Sequence, residues 1–235
     1  MQRDRYSDYT RNTNEFLKRV AHGRRHQQAV ALLGARPGDV ILDYGCGDAF
    51  TLQIIENVSY SDMVAYDPDP DMIAQIDSEF AKKINVYGDS ETLCQKNPKR
   101  FSLILCFEVC EHLSPISLDK VFADFKRLIK PGGRILIGVP METGVSGLLK
   151  NLYRLYKGRR MGATLSKAFL ALFGHPIERD IEESGWISSH IGFREIDLLS
   201  ALERAGFDVK IVGRLPFSWS GSFLNNESYW CCKVR

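Results

Sequence analysis

The segment ILDYGCGDAF, Ile41 to Phe50, constrains the fold of this chain more than any other stretch. Ile41 and Leu42 suit a buried strand, but Gly45 and Gly47 weaken a strand or helix interior unless a tight turn or a close backbone approach requires them. A strand that runs into an acid, then through glycines into a helix, is how an open parallel sheet presents its strand ends to a ligand. The segments that follow keep this rhythm. Short apolar runs at 40–44, 63–66, 84–87, 103–107 and 134–139 alternate with helix-like stretches at 50–57, 71–81 and 118–129. That alternation predicts a mostly parallel sheet with helices on both faces. A late helix at 195–205 and strands at 209–212 and 228–234 bring the sheet to seven strands. The loop joining the last two is too short for a crossover helix, so the final strand is expected to return antiparallel.

Size and charge limit what surrounds this sheet. With 235 residues and 44% hydrophobic content the chain can bury a substantial core, and one domain over 1–235 is the default. Residues 1–36 form an N-terminal segment with helical spacing over 13–33, and 144–190 break the sheet rhythm as a helical cap. The formal charge of +2 gives no global field that demands nucleic acid or an anionic membrane, and DNA is not an expected partner. The polar N-terminus lacks the apolar core of a signal peptide, which predicts a cytoplasmic protein. Cys46, Cys94, Cys106, Cys110, Cys231 and Cys232 show no paired CxxC spacing and read as reduced structural thiols.

Beyond the first turn, the order of motifs carries a family resemblance. ILDYGCGDA resembles the first motif of the class I S-adenosylmethionine (SAM) dependent methyltransferases of the type 11 and 12 kind, read as a hydrophobic pair followed by D-x-G-x-G-x-G. The match continues through VAYDPDPDMI, VYGDSE, FSLILCFEVCEHL and LIKPGGRILIGVP, with LLSALERAGFDVKIVG resembling the late helix and strand. The sequence departs from the pattern at Ala49, which takes the third glycine position, and at Asp48, which precedes it. Alanine fits there if the position serves helix packing and not an unusual dihedral. A nicotinamide enzyme would show G-x-G-x-x-G in place of G-C-G-D-A-F.

The resemblance implies a Rossmann-like fold, a SAM cofactor and a set of contacts. Asp43, Gly45, Cys46 and Gly47 would surround the methionine part, Asp67 with Pro68 the ribose hydroxyls, Asp89 with Ser90 the adenine, and Phe107 with Glu108 the methyl group. Asp43 reads equally as a residue that satisfies backbone donors at the turn. Asp69 and Asp71 read better as helix-start residues.

Methyl transfer from a sulfonium needs alignment and, for a hydroxyl acceptor, a base. Glu108, His112 and His190 are the candidate catalytic residues. The run E-V-C-E-H with a distant histidine also resembles the metal site of the small-RNA 2'-O-methyltransferases; by that resemblance Glu108, Glu111, His112 and His190 would be the ligands. A metal is not expected, because similar runs are widespread in metal-free members of the superfamily. His22, His26 and His175 read as surface or packing histidines.

The cap carries Leu148, Leu149, Leu152, Leu155 and Tyr156 on helical spacing, interleaved with Lys150, Arg154, Lys157, Arg159, Arg160 and Lys167. It reads as a substrate lid, a foot on anionic lipid, a grip on phosphate, or a packed helical pair with solvated bases. Trp186, Phe193, Phe217, Trp219 and Trp230 read either as acceptor-pocket aromatics or as core. The expected function is methyl transfer to a small-molecule, lipid-linked or glycan-linked acceptor at oxygen, with peripheral contact at the inner face of a membrane left open. The alternatives are a metal-dependent RNA 2'-O-methyltransferase and a SAM-binding partner protein without chemistry.

Overall fold

In a computed structural model of the chain, the residues described are 32, 34, 36–56, 62–156, 164–215 and 225–235. The expected N-terminal helix, His22 and His26, Lys157, Arg159 and Arg160, and Phe217 and Trp219 lie outside them. Seven strands form one sheet: β1 (Val40–Tyr44), β2 (Asp62–Tyr66), β3 (Asn85–Tyr87), β4 (Phe101–Phe107), β5 (Ile129–Pro140), β6 (Phe207–Leu215) and β7 (Glu227–Val234). Their order is β3-β2-β1-β4-β5-β7-β6. β1 pairs in parallel with both β2 and β4, and β2 with β3, whereas β6 and β7 run antiparallel. The last strand therefore returns as the short final loop requires.

Helices α1 (Phe50–Glu56), α2 (Pro70–Ile73), α3 (Ser78–Ala81), α4 (Ser90–Lys96), α5 (Pro115–Leu128), α6 (Gly144–Tyr156), α7 (Leu165–Leu172) and α8 (Glu195–Arg204) connect them. The single helix expected over 71–81 is instead two short ones. Asp77 caps the second by accepting from the N–H groups of Glu79 and Phe80, so the chain restarts where one helix was expected to continue. α4 is an element that apolar periodicity did not reveal. Its signal was Asp89, an N-cap that accepts from the Thr92 N–H at 2.7 Å.

The described chain gathers into two compact units, residues up to Phe107 with Ala123–Leu136, and Glu108–Phe122 with Ile137–Arg235. In the first, Ile41, Leu42, Leu103, Ile104 and Leu105 are wholly buried, as expected of central strands covered on both faces. A polar network ties these elements together, with Tyr44 Oη donating to Asp124 Oδ2 at 2.8 Å and Cys94 Sγ to Asp124 Oδ1 at 3.5 Å. In the second unit, Phe122 meets Phe207 edge-on at 5.9 Å, beside buried Leu198, Leu202 and Trp230. The six cysteines are free thiols, all but Cys231 buried.

The second unit also anchors α6 through a buried acid. Glu142, at 3% exposure, accepts a bidentate pair from Arg154 at 2.8 and 3.1 Å and a further bond from Lys150 Nζ at 3.1 Å. Burial, the largest influence, pushes its pKa up, but Lys150 and Arg154 outweigh it and hold the carboxyl below its usual range. A lowered folded pKa gives stability that is present above the unfolded value and is lost as pH falls through the folded one. Glu142→Gln is therefore expected to cost about 2–3 kcal/mol at pH 7 and to flatten the acid limb of a urea-stability curve below about pH 4.5. Parallel acid limbs in the two proteins would rule this anchor out.

Candidate functional site

The glycine turn is built by backbone donors converging on the end of β2. The N–H groups of Gly45 and Cys46 both donate to the Tyr66 carbonyl, at 2.7 and 2.9 Å. Gly45 (φ 85°) and Gly47 (φ 54°) lie in the left-handed region, which glycine enters without steric cost. A Cβ built on Gly47 meets nothing within 4 Å, so this turn leaves open space on one side.

Asp67 closes the turn. Its Oδ2 accepts from the Gly47 N–H at 2.8 Å and its Oδ1 from the Asp69 N–H at 2.9 Å. Each oxygen keeps a further lone pair, which suits a carboxylate that also accepts from vicinal hydroxyls. Burial pushes its pKa up against those two N–H groups, which lower it. Asp43 is pushed up to about 7, first by burial and then by the charges of Asp67 and Asp48. Three acids around one turn favour a ligand that brings hydroxyl donors or positive charge. Asp48, the residue before Ala49 where the sequence departs from the motif pattern, is the third of these acids.

Ala49 corrects an expectation. It is wholly buried, which suits packing, yet its φ is 57°, the unusual dihedral that was expected to be absent. A left-handed alanine costs about 1–2 kcal/mol, while its buried methyl and stiffer unfolded chain return a similar amount relative to glycine. The near-cancellation explains how alanine occupies the third glycine position.

The other expected cofactor contacts fall into two kinds. Cys46 is buried, with its thiol pushed up by burial, and Ser90 is buried in hydrogen-bond contact with the Tyr66 phenol. Pro68 and Asp89 are exposed, and Asp89 caps α4 while the Thr92 N–H holds its pKa below the usual range. Asp69 caps α2 by accepting from the Asp71 N–H at 2.8 Å, the helix-start role expected of it. Phe107 ends β4 half-buried, and Glu108 follows it, exposed and at φ 55°.

Past β4 the chain makes a 3-10 turn at Cys110–His112 that delivers Glu111 and His112 to one place. The single bridge Leu113–Trp186 and reciprocal bonds align this turn with the loop before α8: Ile187 N–H donates to the His112 carbonyl, and His112 Nδ1 donates to the Ile187 carbonyl, both at 2.7 Å. A carbonyl only accepts, so Nδ1 carries the proton and the Nε2 lone pair is left free. The imidazole stacks on Trp186 at 4.5 Å and meets His190 edge-on at 4.5 Å.

Glu111 faces a nitrogen of each imidazole, wholly buried, with neither carboxylate oxygen hydrogen-bonded. Its Oε1 is 3.9 Å from His112 Nε2 and 3.9 Å from His190 Nδ1, and the three ligand atoms lie within 4.8 Å of one another. His190 Nδ1 is likewise buried without a partner. Burial, then the Glu108 charge, raises the Glu111 pKa well above the usual range. Burial also lowers His112, and burial with His112 lowers His190 to about 4, so both rings are neutral near pH 7. Of the four ligand candidates, Glu108 falls outside the triad that the fold assembles.

Sequence reasoning missed Arg179, which lies in a polar loop with no motif around it. Its guanidinium donates to the carbonyls of Glu111 at 2.6 Å and Ser189 at 2.7 Å and lies over the Phe193 ring at 5.8 Å. It thereby fixes the two segments that carry Glu111 and His190. Phe193 is thus a buried packing residue, as is Trp230, whereas Trp186 is part of the cluster.

A sequence model of a methyltransferase-domain family matches residues 1–210 of the chain. No protein of curated function matches the sequence. Similar solved structures include magnesium protoporphyrin IX methyltransferase from Synechocystis PCC 6803 with bound S-adenosylhomocysteine (SAH), at 14% identity and a TM-score of 0.62, covering 97% of this chain and 92% of that one. A SAM-dependent methyltransferase from Archaeoglobus fulgidus aligns at 17% identity and a TM-score of 0.58, with 97% of each chain covered. The cyclopropane synthase MmaA2 from Mycobacterium tuberculosis aligns at 15% identity and a TM-score of 0.54, covering 86% of this chain and 67% of that one.

Proposed function

Since the chain belongs to this family of methyltransferase domains, we propose that it transfers a methyl group from SAM to a hydroxyl oxygen of a small-molecule, lipid-linked or glycan-linked acceptor. SAM supplies an electrophilic methyl on a positively charged sulfur. The open side of Gly47, the paired acceptor oxygens of Asp67 and the acidic turn around them suit that cofactor. Displacement at the methyl needs alignment, and a hydroxyl acceptor must also lose a proton.

The observation that carries the choice of oxygen is the unpaired carboxylate of Glu111 set against two neutral imidazoles, directly after β4 in the chain. His190 is the more exposed of the two imidazoles and meets the acceptor hydroxyl. Glu111 behind it stabilises the imidazolium that forms when the proton is taken, and Ile187 and Trp186 hold His112 in place.

A second reading is favoured by the free lone pair of His112 Nε2. Glu111, His112 and His190 are the residues that would hold a divalent cation, with the Nδ1–H bond to Ile187 fixing the ligand tautomer. Such a cation lowers the pKa of a bound hydroxyl, and an RNA 2'-hydroxyl would be a suitable acceptor.

The experiment is transfer of labelled methyl from SAM to a panel of phenols, sugars, lipid-linked glycans and short RNA, with and without chelator. Label on a hydroxyl acceptor, lost when that hydroxyl is already methylated, is expected. Inhibition by chelator with recovery on adding a divalent ion selects the second reading. Label only on amines or carbon would sink the oxygen assignment, and SAM binding without transfer to any acceptor would favour a non-catalytic partner protein.

A further inference from the structure

We infer that the α6–α7 hairpin is a docking surface for an anionic lipid membrane. The hairpin is built inside out for a water-soluble helical pair. It buries small residues: Ser146, Gly147 and Asn151 on α6, and Ala168 and Ala171 on α7. The approach at Gly147 is close enough that a Cβ there would lie 2.1 Å from the Glu142 carbonyl oxygen and 3.4 Å from Ala171 Cβ.

The large apolar side chains point the other way. Leu149 is 53% exposed, Leu152 40% and Tyr156 86% on α6, and Leu165 is 62%, Phe169 59% and Phe173 72% exposed on and just after α7. Their spacing is helical on each element, 149, 152 and 156 on one and 165, 169 and 173 on the other, so each helix presents a stripe and not scattered residues. Isolated exposed apolar residues need no explanation, but two adjacent stripes on one hairpin do.

Charge identifies the occupant. From Thr143 to Ile177 the sequence holds Lys150, Arg154, Lys157, Arg159, Arg160 and Lys167 and no aspartate or glutamate. Glu142 neutralises only part of this, through Lys150 and Arg154. A second copy would bring this base-only stretch of sequence against itself with no acid in it to meet the charge. RNA would match the charge but not the aliphatic stripe. A surface of anionic headgroups over acyl chains matches both, the arrangement of helices that lie in a bilayer interface. No helix among the described residues is long and apolar enough to cross a membrane, so the contact is peripheral.

The test is co-sedimentation of the full chain with vesicles of phosphatidylcholine alone and with about 30 mol% phosphatidylglycerol. Binding to the anionic vesicles is expected, with little to the neutral ones and a marked loss in about 0.5 M salt. Phe169→Glu, and independently Tyr156→Glu, should each weaken partitioning roughly tenfold, and Lys167→Glu several-fold, while SAM binding by calorimetry is retained. SAM binding in the variants also separates this outcome from a failure of the methyltransferase reading. The inference is overturned if the chain binds SAM but does not sediment with anionic vesicles, or if both apolar-to-acid variants sediment like the parent. A dimer that Phe169→Glu dissociates, or RNA that outcompetes the vesicles for this face, would overturn it as well.

Discussion

Saturable binding of SAM and of SAH is expected to weaken at least about 100-fold in Asp67→Ala, equivalent to roughly 2.7 kcal/mol. The side chain has two tasks, and the prediction must separate them. Its carboxylate holds the glycine turn through the Gly47 and Asp69 N–H groups, and on the proposed reading its remaining lone pairs meet the ribose hydroxyls. Removing it strands two backbone donors, at about 1–3 kcal/mol each if they stay buried, so a fall in thermal stability accompanies the loss of binding. A deoxyribose analogue of SAH distinguishes the tasks. If Asp67 grips the ribose, the parent penalises the missing hydroxyl and the variant does not. An equal penalty in both would mean that Asp67 only fastens the turn. Asp67→Asn, which keeps one acceptor oxygen, should fall between the two.

How far the sequence foretold this site follows from the range of the interactions involved. The sheet was legible because parallel strands buried on both faces read as apolar runs, and Val40–Tyr44 and Phe101–Phe107 are buried nearly throughout. The place of Asp67 was legible for a related reason: it ends the strand next to the glycine turn, where an open parallel sheet presents its strand ends. Asp89 shows where such reading runs short. Its capping bond to Thr92 is local and visible in D-S-E-T, yet an element of seven residues is too short to show apolar periodicity. Ala49 shows the opposite failure, since no side-chain pattern reports a dihedral. The Glu111 cluster needed residues about eighty positions apart to meet, and its fastener, Arg179, bonds only to backbone carbonyls. Bonds to carbonyls leave no trace in the identity of the partner residue. The inverted burial of α6 and α7 was equally hidden. Helical spacing shows that a face is apolar but not which way it points.

Glu111→Gln is expected to make the protein more stable and much less active. In the metal-free chain the carboxylate is wholly buried with no hydrogen bond, and burial with the Glu108 charge raises its pKa. Glutamine has the same shape, carries no charge and can donate an amide hydrogen to the free Nε2 of His112. Replacing the acid should therefore add about 1–3 kcal/mol in urea unfolding at pH 7. The sign with pH is fixed. A raised folded pKa gives stability that is complete below the unfolded value and is lost as pH rises through the folded one, so the gap between variant and parent widens toward alkaline pH. Methyl transfer should fall about 100- to 1,000-fold, because the amide neither stabilises an imidazolium nor serves as an anionic ligand. A rise in melting temperature on adding Mn²⁺ or Zn²⁺ to the parent, absent in the variant, would assign the cluster to a cation. Loss of transfer with no such rise would assign it to the His190–Glu111 pair. A variant that is no more stable and fully active would remove Glu111 from both readings, because a buried charge retained for neither stability nor chemistry has no physical reason to be there.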